Sequence, residues 1–350
     1  MIIQSETFTR RAMIAGLMAG TGASLLPSLA RAQATRFKDR ELVATAFGGP
    51  SQEILQRVVF DWMSQTYGGK GTQTPLLSAQ AFARMRAEAA NPQVDLFMFS
   101  GGQERIAKTE GLTQAIPGAP RLNDVPANLR DAEGHWVTWG IVAEGILYRS
   151  DKIKTPPKSY KDLFDPAHEG HVAFPHIVNG YGMDFLVMAA RAYGGSEANI
   201  DAGFDAIKKI AGKATIFRSA AEVQQLFAQG DIWIMPYDNA SALRASKQGI
   251  PVAFATPAEG APSVRLTAAI AAKSKNADMC GVIIDRLLSP DSQIPIATEI
   301  AWAPSNAQVK LPAEVAAFFP PLDQMKELDR AAINNNRNAW TERYNRDIAK

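Results

Sequence analysis

VDLFMFSGGQERIAKTEG, residues 94–111, decides the fold. Its apolar run is too short for a helix and is bounded by turn residues, so it reads as a buried strand. Gly101-Gly102 break it, and a short helix then runs to Gly111. Upstream, ELVATAF (41–47) repeats the scheme: strand, then Gly48-Gly49-Pro50-Ser51, then Ile54, Leu55, Val58, Val59 and Trp62 at helical spacing until Gly68-Gly69. Downstream, VTWGIVAEGILYR (137–149) predicts one or two long strands. HVAFP (171–175) is a strand that leads through HIVNGYG into the helix MDFLVMAARAY, stopped by Gly194-Gly195. SAAEVQQLFAQG (219–230) is a helix with a Ser219–Glu222 capping box and Gly230 at its C-cap. DIWIMPYDNASALRASKQG (231–249) reads strand, loop, helix. IPVAFATP (250–257) and LTAAIAA (266–272) are strands, ADMCGVIIDRLLS (277–289) is a helix, and the polar segment from about Leu322 is helical. Strands alternating with helices predict an α/β fold with largely parallel sheets.

The 350 residues suit about two domains and ample cores. With 46% hydrophobic and 21% charged residues, the composition is that of a folded chain. One cysteine, Cys280, excludes a disulfide framework and cysteine-built metal clusters; on an apolar helix face it reads as a small core residue. The N-terminus carries Thr9-Arg10-Arg11, a Gly/Ala-rich apolar stretch and Ala30-Arg31-Ala32. That is a signal peptide over residues 1–32, with paired arginines of the twin-arginine (Tat) type, and it implies a periplasmic location. Without those residues the formal charge falls from +2 to zero, so no acidic partner or nucleic acid is indicated.

No dinucleotide fingerprint, P-loop, nucleophile elbow or zinc-protease helix is present. The histidines His135, His168, His171 and His176 lack metal-ligand spacing, and neither a metal nor a cofactor is expected. A different pattern recurs. Strands end in small or polar residues at Phe47–Ser51, Ser100–Gln103, Asn179–Gly182 and Pro236–Asn239. In open α/β sheets, ligands bind outside the carboxyl ends of strands, where glycines admit them to backbone N–H groups.

The stretches DLFMFSGGQERIAKTEGL (95–112), WGIVAEGILYRSDKI (139–153), SYKDLFDPAHEGHVAF (159–174), WIMPYDNASALRASKQGIPVAFATPAEGAP (233–262) and AAIAAKSKNAD (268–278) resemble the extracellular solute-binding proteins of ABC importers. The group is that of the spermidine/putrescine binders and their ferric, thiamine and phosphonate relatives. The resemblance implies a two-lobed periplasmic-binding-protein fold of type II, each lobe a mixed, mostly parallel sheet flanked by helices. Residues 33–141 plus 267–315 are then the N-terminal lobe and 142–266 the C-terminal lobe. Residues 316–350 supply C-terminal helices packing across both, and 139–148 and 250–268 are hinge candidates. It further implies a monomer that captures a small-molecule solute without turnover and hands it to an inner-membrane ABC permease. A Tat-exported enzyme or a ligand sensor is the alternative of another class.

Polyamine binders of this group use aromatic walls and carboxylates. Tyr237 and Asp184 match such positions, but Leu266 stands where a further carboxylate is expected, with Arg265 beside it. This favours a zwitterion, amino-acid-like solute or carboxylate over a long polyamine, which stays the alternative. Adjacent tyrosines of the ferric binders are missing. The candidate ligand-binding residues are Gly48, Gly49, Ser51, Ser100, Gly101, Gly102 and Gly180 for backbone contacts. Trp139, Tyr181, Tyr237 and Trp302 are candidate walls, and Asp184, Arg218, Asp238 and Arg265 candidate charges. Arg84 reads as a surface residue.

Overall fold

A computed structural model describes residues 35–349; the signal-peptide reading therefore lies outside the described residues. The chain order of strands is β1 (Glu41–Ala46), β2 (Lys70–Pro75), β3 (Leu96–Ser100), β4 (Thr113–Gln114), β5 (Trp136–Arg149), β6 (Ala173–Pro175), β7 (Thr215–Phe217), β8 (Ile234–Asp238), β9 (Val252–Ala255), β10 (Ala261–Ala271), β11 (Ala303–Pro304) and β12 (Met325–Lys326). Helices are α1 (Gly49–Leu55) and α2 (Asp61–Tyr67), joined by a π-helical turn at Gln56–Phe60, then α3 (Ser78–Ala87), α4 (Gln103–Thr109), α5 (Gly180–Ala192), α6 (Asp201–Ala211), α7 (Ala220–Gln229), α8 (Asn239–Lys247), α9 (Ala277–Leu287), α10 (Pro290–Ile300), α11 (Ala313–Ala316) and α12 (Arg330–Asp347).

β5 organises the molecule. Its first half lies in a sheet of order β2-β1-β3-β10-β5-β11, and its second half pairs with β8 and β9. β1 is parallel to β2 and β3, and β6 is parallel to β7, as βα units require. Around β5 and β10 the expectation of mostly parallel sheets fails: β10 is antiparallel to β3 and β5, and β5 is antiparallel to β8, β9 and β11. These long strands come from distant parts of the chain, so their pairing direction leaves no local trace.

The two largest sets of buried apolar side chains belong to the two halves of this arrangement. Leu42, Leu96, Met98, Val137, Trp139, Ile270 and Ile283 belong to the first. Ile146, Phe174, Leu186, Phe204, Ile234, Ile333 and Trp340 belong to the second. Both sets read from the predicted strands and amphipathic helices. α12 thus docks on the second half through Ile333, Trp340 and Tyr344, while the segment before it, β12, pairs with the start of β10. α7 begins and ends as its sequence dictates: Ser219 accepts from the Glu222 amide, and Gly230 adopts the left-handed conformation (φ 85°). No helix among the described residues is long and apolar enough to cross a membrane.

Candidate functional site

Parallel strands send their carboxyl ends to one edge of each half. In the first half these are the corners after β1 and β3. Gly48, Gly49, Gly101 and Gly102 all have positive φ (81°, 55°, 107° and 95°), which β-carbon-bearing residues rarely adopt. A Cβ at Gly49 or Gly102 would meet no atom within 4 Å, so both corners are open. Ser100 is tied to α3: its amide donates to Ser78 Oγ at 2.8 Å and the two hydroxyls lie 3.0 Å apart. Ser51 is buried and its hydroxyl donates to the Gly48 carbonyl at 2.7 Å, so it shapes the turn.

In the second half the corners after β6, β7 and β8 carry His176–Tyr181, Arg218-Ser219 and Asp238-Asn239. Asn179 caps α5 by accepting from the Tyr181 amide at 3.0 Å, and its Nδ2 reaches the Arg218 carbonyl at 3.5 Å. Gly180 is exposed at the helix start with open space around it. Tyr181 lies over Tyr237, ring centroids 4.5 Å apart, and Tyr237 meets Phe217 edge-on at 5.1 Å. Burial and the adjacent Asp238 push the Tyr237 phenol up to about 12, and raise that of Tyr181 further.

Asp238 is buried, 6% exposed, and caps α8 by accepting from the Ser241 amide at 2.8 Å. Burial raises its carboxyl pKa, and the bonds from Ser241 pull it back. Across the β5–β8 ladder Asp238 stands opposite Glu144. Two carboxylates facing each other there would repel. Burial first, and then Asp184, drive the Glu144 carboxyl well above the usual carboxylate range.

Three of the candidates are engaged elsewhere in the fold. Asp184 is 2% exposed and its carboxylate grips Arg330 of α12, with Arg330 Nη2 at 2.8 Å. It is already paired, so it offers no free charge. Arg265 donates to the Asn128 carbonyl at 2.8 Å and lies 3.5 Å from Glu327, so its charge is also spoken for. Trp139 is 1% exposed within the first core, a packing residue and not an exposed wall. Leu266, likewise buried, packs toward Gly140. Trp302 is half-buried, 5.5 Å from Trp139 and 6.0 Å from Phe47, beside the crossing strands. Arg218 is exposed and forms no ion pair among the described residues.

The structure thus places Gly48, Gly49, Gly101 and Gly102 at the strand ends of the first half, and Gly180, Tyr181, Arg218, Tyr237 and Asp238 at the strand ends of the second. Sequence reasoning missed Glu144, Arg330 and His176. Glu144 had a signal, as the one charge inside the apolar run WVTWGIVAEGILY that precedes Arg149. Arg330 had none, because its partner lies 146 positions away. The described residues hold no group of three or more His, Cys, Asp or Glu side chains placed to bind a metal ion.

The family model for bacterial extracellular solute-binding proteins matches residues 72–319. An uncharacterized protein of Haemophilus influenzae is 27% identical over 239 residues, 64% of this chain and 65% of its own length. The spermidine/putrescine-binding periplasmic protein of Escherichia coli is 26% identical over 201 residues, 54% of this chain. The chain spans 55% of that relative's length. A solved structure from Bordetella parapertussis, described as an extracellular solute-binding protein, superposes with a TM-score of 0.78 at 21% identity. It covers 89% of this chain and 99% of its own. The solved neighbours have the type II periplasmic-binding-protein fold.

Proposed function

From the premise that this chain belongs to the bacterial extracellular solute-binding proteins, we propose that it captures a small polar solute bearing an anionic group and delivers it to an ABC permease in the inner membrane. A zwitterion, an amino-acid-like molecule or a carboxylate fits best. The observation that carries this reading is Arg218: a guanidinium with no carboxylate partner among the described residues, at a strand end directly after Phe217, whose ring meets Tyr237. A guanidinium matches a carboxylate with two parallel hydrogen bonds.

In this reading the chain works as a periplasmic monomer, exported through its twin-arginine signal, without turnover or cofactor. Residues 33–141 with 267–315 and residues 142–266 are the two lobes, and they rotate about β5 and β10. The solute enters between them, and backbone N–H groups at Gly48-Gly49 and Gly101-Gly102 receive its polar atoms. Closure then shifts the open–closed population, and the permease reads the closed form. Asp238 faces an ammonium group, and Trp302 walls the hinge side.

A second reading, a polyamine binder, is favoured by one observation. Glu144 and Asp184 lie about the guanidinium of Arg330, and Asp238 stands opposite Glu144 across the β5–β8 ladder, so three carboxyls gather in one region. A thermal-shift panel separates the two. γ-Aminobutyrate, common amino acids, small dicarboxylates and aminoethylphosphonate form one arm; putrescine and spermidine form the other. A ligand at about 100 times its Kd stabilises by about 2.7 kcal/mol. The proposal expects the first arm to respond and Arg218→Ala to abolish the response; a shift with the amines alone refutes it. Product formation from any of these compounds would revive the enzyme alternative.

A further inference from the structure

We propose that His176, Arg218 and the hydroxyl of Tyr344 form a subsite for an oxyanion, a carboxylate or a phosphate carried by the solute, at the carboxyl ends of β6 and β7. The inference rests on the reading above and adds His176 and Tyr344 to Arg218, the one of the three that the sequence offered as a binding residue.

The three groups arrive from separate elements. The parallel register sets Pro175 beside Phe217, so the next residues, His176 and Arg218, leave the sheet side by side. The His176 amide donates to the Phe217 carbonyl at 2.8 Å, which ties the two corners together. α12 brings Tyr344, whose ring meets His176 edge-on with centroids 5.0 Å apart and planes at 65°.

Each group lacks a partner of the kind an oxyanion supplies. His176 Nδ1 accepts from the Val178 amide at 3.2 Å, so the neutral ring carries its proton on Nε2. Burial, and then the charge of Arg218, hold this imidazole below its usual pKa, which keeps it a neutral donor at pH 7. The Tyr344 hydroxyl is buried without a hydrogen-bond partner among the described residues, a state that folded proteins seldom leave unanswered. Arg218 has no counter-ion among the described residues. The neighbouring carboxylate, Glu222, is turned to its own turn, accepting from the Arg218 amide at 3.2 Å and from Ser219 Oγ at 2.8 Å. The Arg218 charge reaches both His176 and Tyr344 electrostatically, so the three share one neighbourhood. Together they offer a charged fork and two neutral donors, which suits an oxyanion and repels a cation.

The test uses the full chain labelled with ¹⁵N and follows the imidazole resonances during titration with inorganic phosphate and with acetate at constant ionic strength. A saturable shift at His176 Nε2 is expected, lost in Arg218→Ala and weakened about tenfold in Tyr344→Phe. His176→Asn keeps an acceptor for the Val178 amide but removes the Nε2 donor. Above about pH 6.5, outside the range in which His176 gains its proton, it should melt as the parent does while binding the preferred anion about tenfold more weakly. Tighter phosphate than acetate assigns a phosphate-bearing solute; the reverse assigns a carboxylate. No saturable shift, or one that survives Arg218→Ala, overturns the subsite. Calorimetry with γ-aminobutyrate and putrescine tests the other layer. If putrescine alone binds while the anion shift persists, the solute reading fails and the subsite stands.

Discussion

Replacing Arg330 by methionine should cost more than any other change to the charged groups of this molecule. Among the described residues the guanidinium is the one cation paired with Asp184, which is 2% exposed, and the buried Glu144 neighbours that carboxylate. Removing it leaves two carboxyls away from water with no counter-charge. Breaking a buried pair in this way costs about 3–5 kcal/mol. Asp184→Asn should cost less, about 1–2 kcal/mol, because the Arg330 side chain is 28% exposed and its head can turn toward water. The double variant Arg330→Met, Asp184→Leu should return to within about 1 kcal/mol of the parent, since an apolar pair of similar size replaces the ions. Urea unfolding followed by tryptophan emission measures each step; Trp340 lies in the affected core and reports on it directly. The deficit of Arg330→Met should also shrink from pH 8 to pH 5, because protonating the stranded carboxyls relieves it. An Arg330→Met variant within about 1 kcal/mol of the parent would refute the account. So would Asp184→Asn proving the more damaging change.

Other expectations follow from single contacts. Gly182→Ala should destabilise by about 1–3 kcal/mol, because the new methyl would sit 2.3 Å from the His176 carbonyl oxygen; calorimetric melting checks it. Cys280 is buried and its thiol pKa is raised by burial, so a chromogenic disulfide reagent should leave the native protein untouched and react fully in urea. His176 titrates lower when folded than when unfolded. Its contribution to stability is present above about pH 6.5, the ordinary histidine value, and is lost as pH falls through the lowered one. His176→Asn should flatten the pH dependence of the melting temperature in that window; an unchanged slope would exclude this residue as its source.

What could be read from the sequence follows the range of the signal. α7, with Ser219 and Gly230, and the glycine corners after β1 and β3 are specified by neighbours in the chain, and they form as expected. β2, KGTQTP, escaped notice because it is an edge strand with no fully buried side chain and little apolar contrast. The site divides in the same way. Arg218 and Tyr181 stand at legible strand ends. Asp184 and Arg265 lie at equally plausible positions, but partners 146 and 137 residues away consume them. Trp139 illustrates a further limit: a tryptophan beside a hinge and one inside a core have the same local sequence.

The placement of β10 has a kinetic consequence. This strand, residues 261–271, lies between β3 and β5 in the middle of the first sheet. A chain emerging from the ribosome cannot complete that sheet until more than two-thirds of it has been made, although β1, β2 and β3 appear within the first 100 residues. Folding in strict order from the N-terminus is therefore blocked. β3 and β5 each wait with an open edge for a strand from far downstream, and such long-range pairing is slow. During that interval LFMFS, an apolar edge, is exposed to other chains. The half-made protein thus relies on chaperones or on dilution far more than the finished one does.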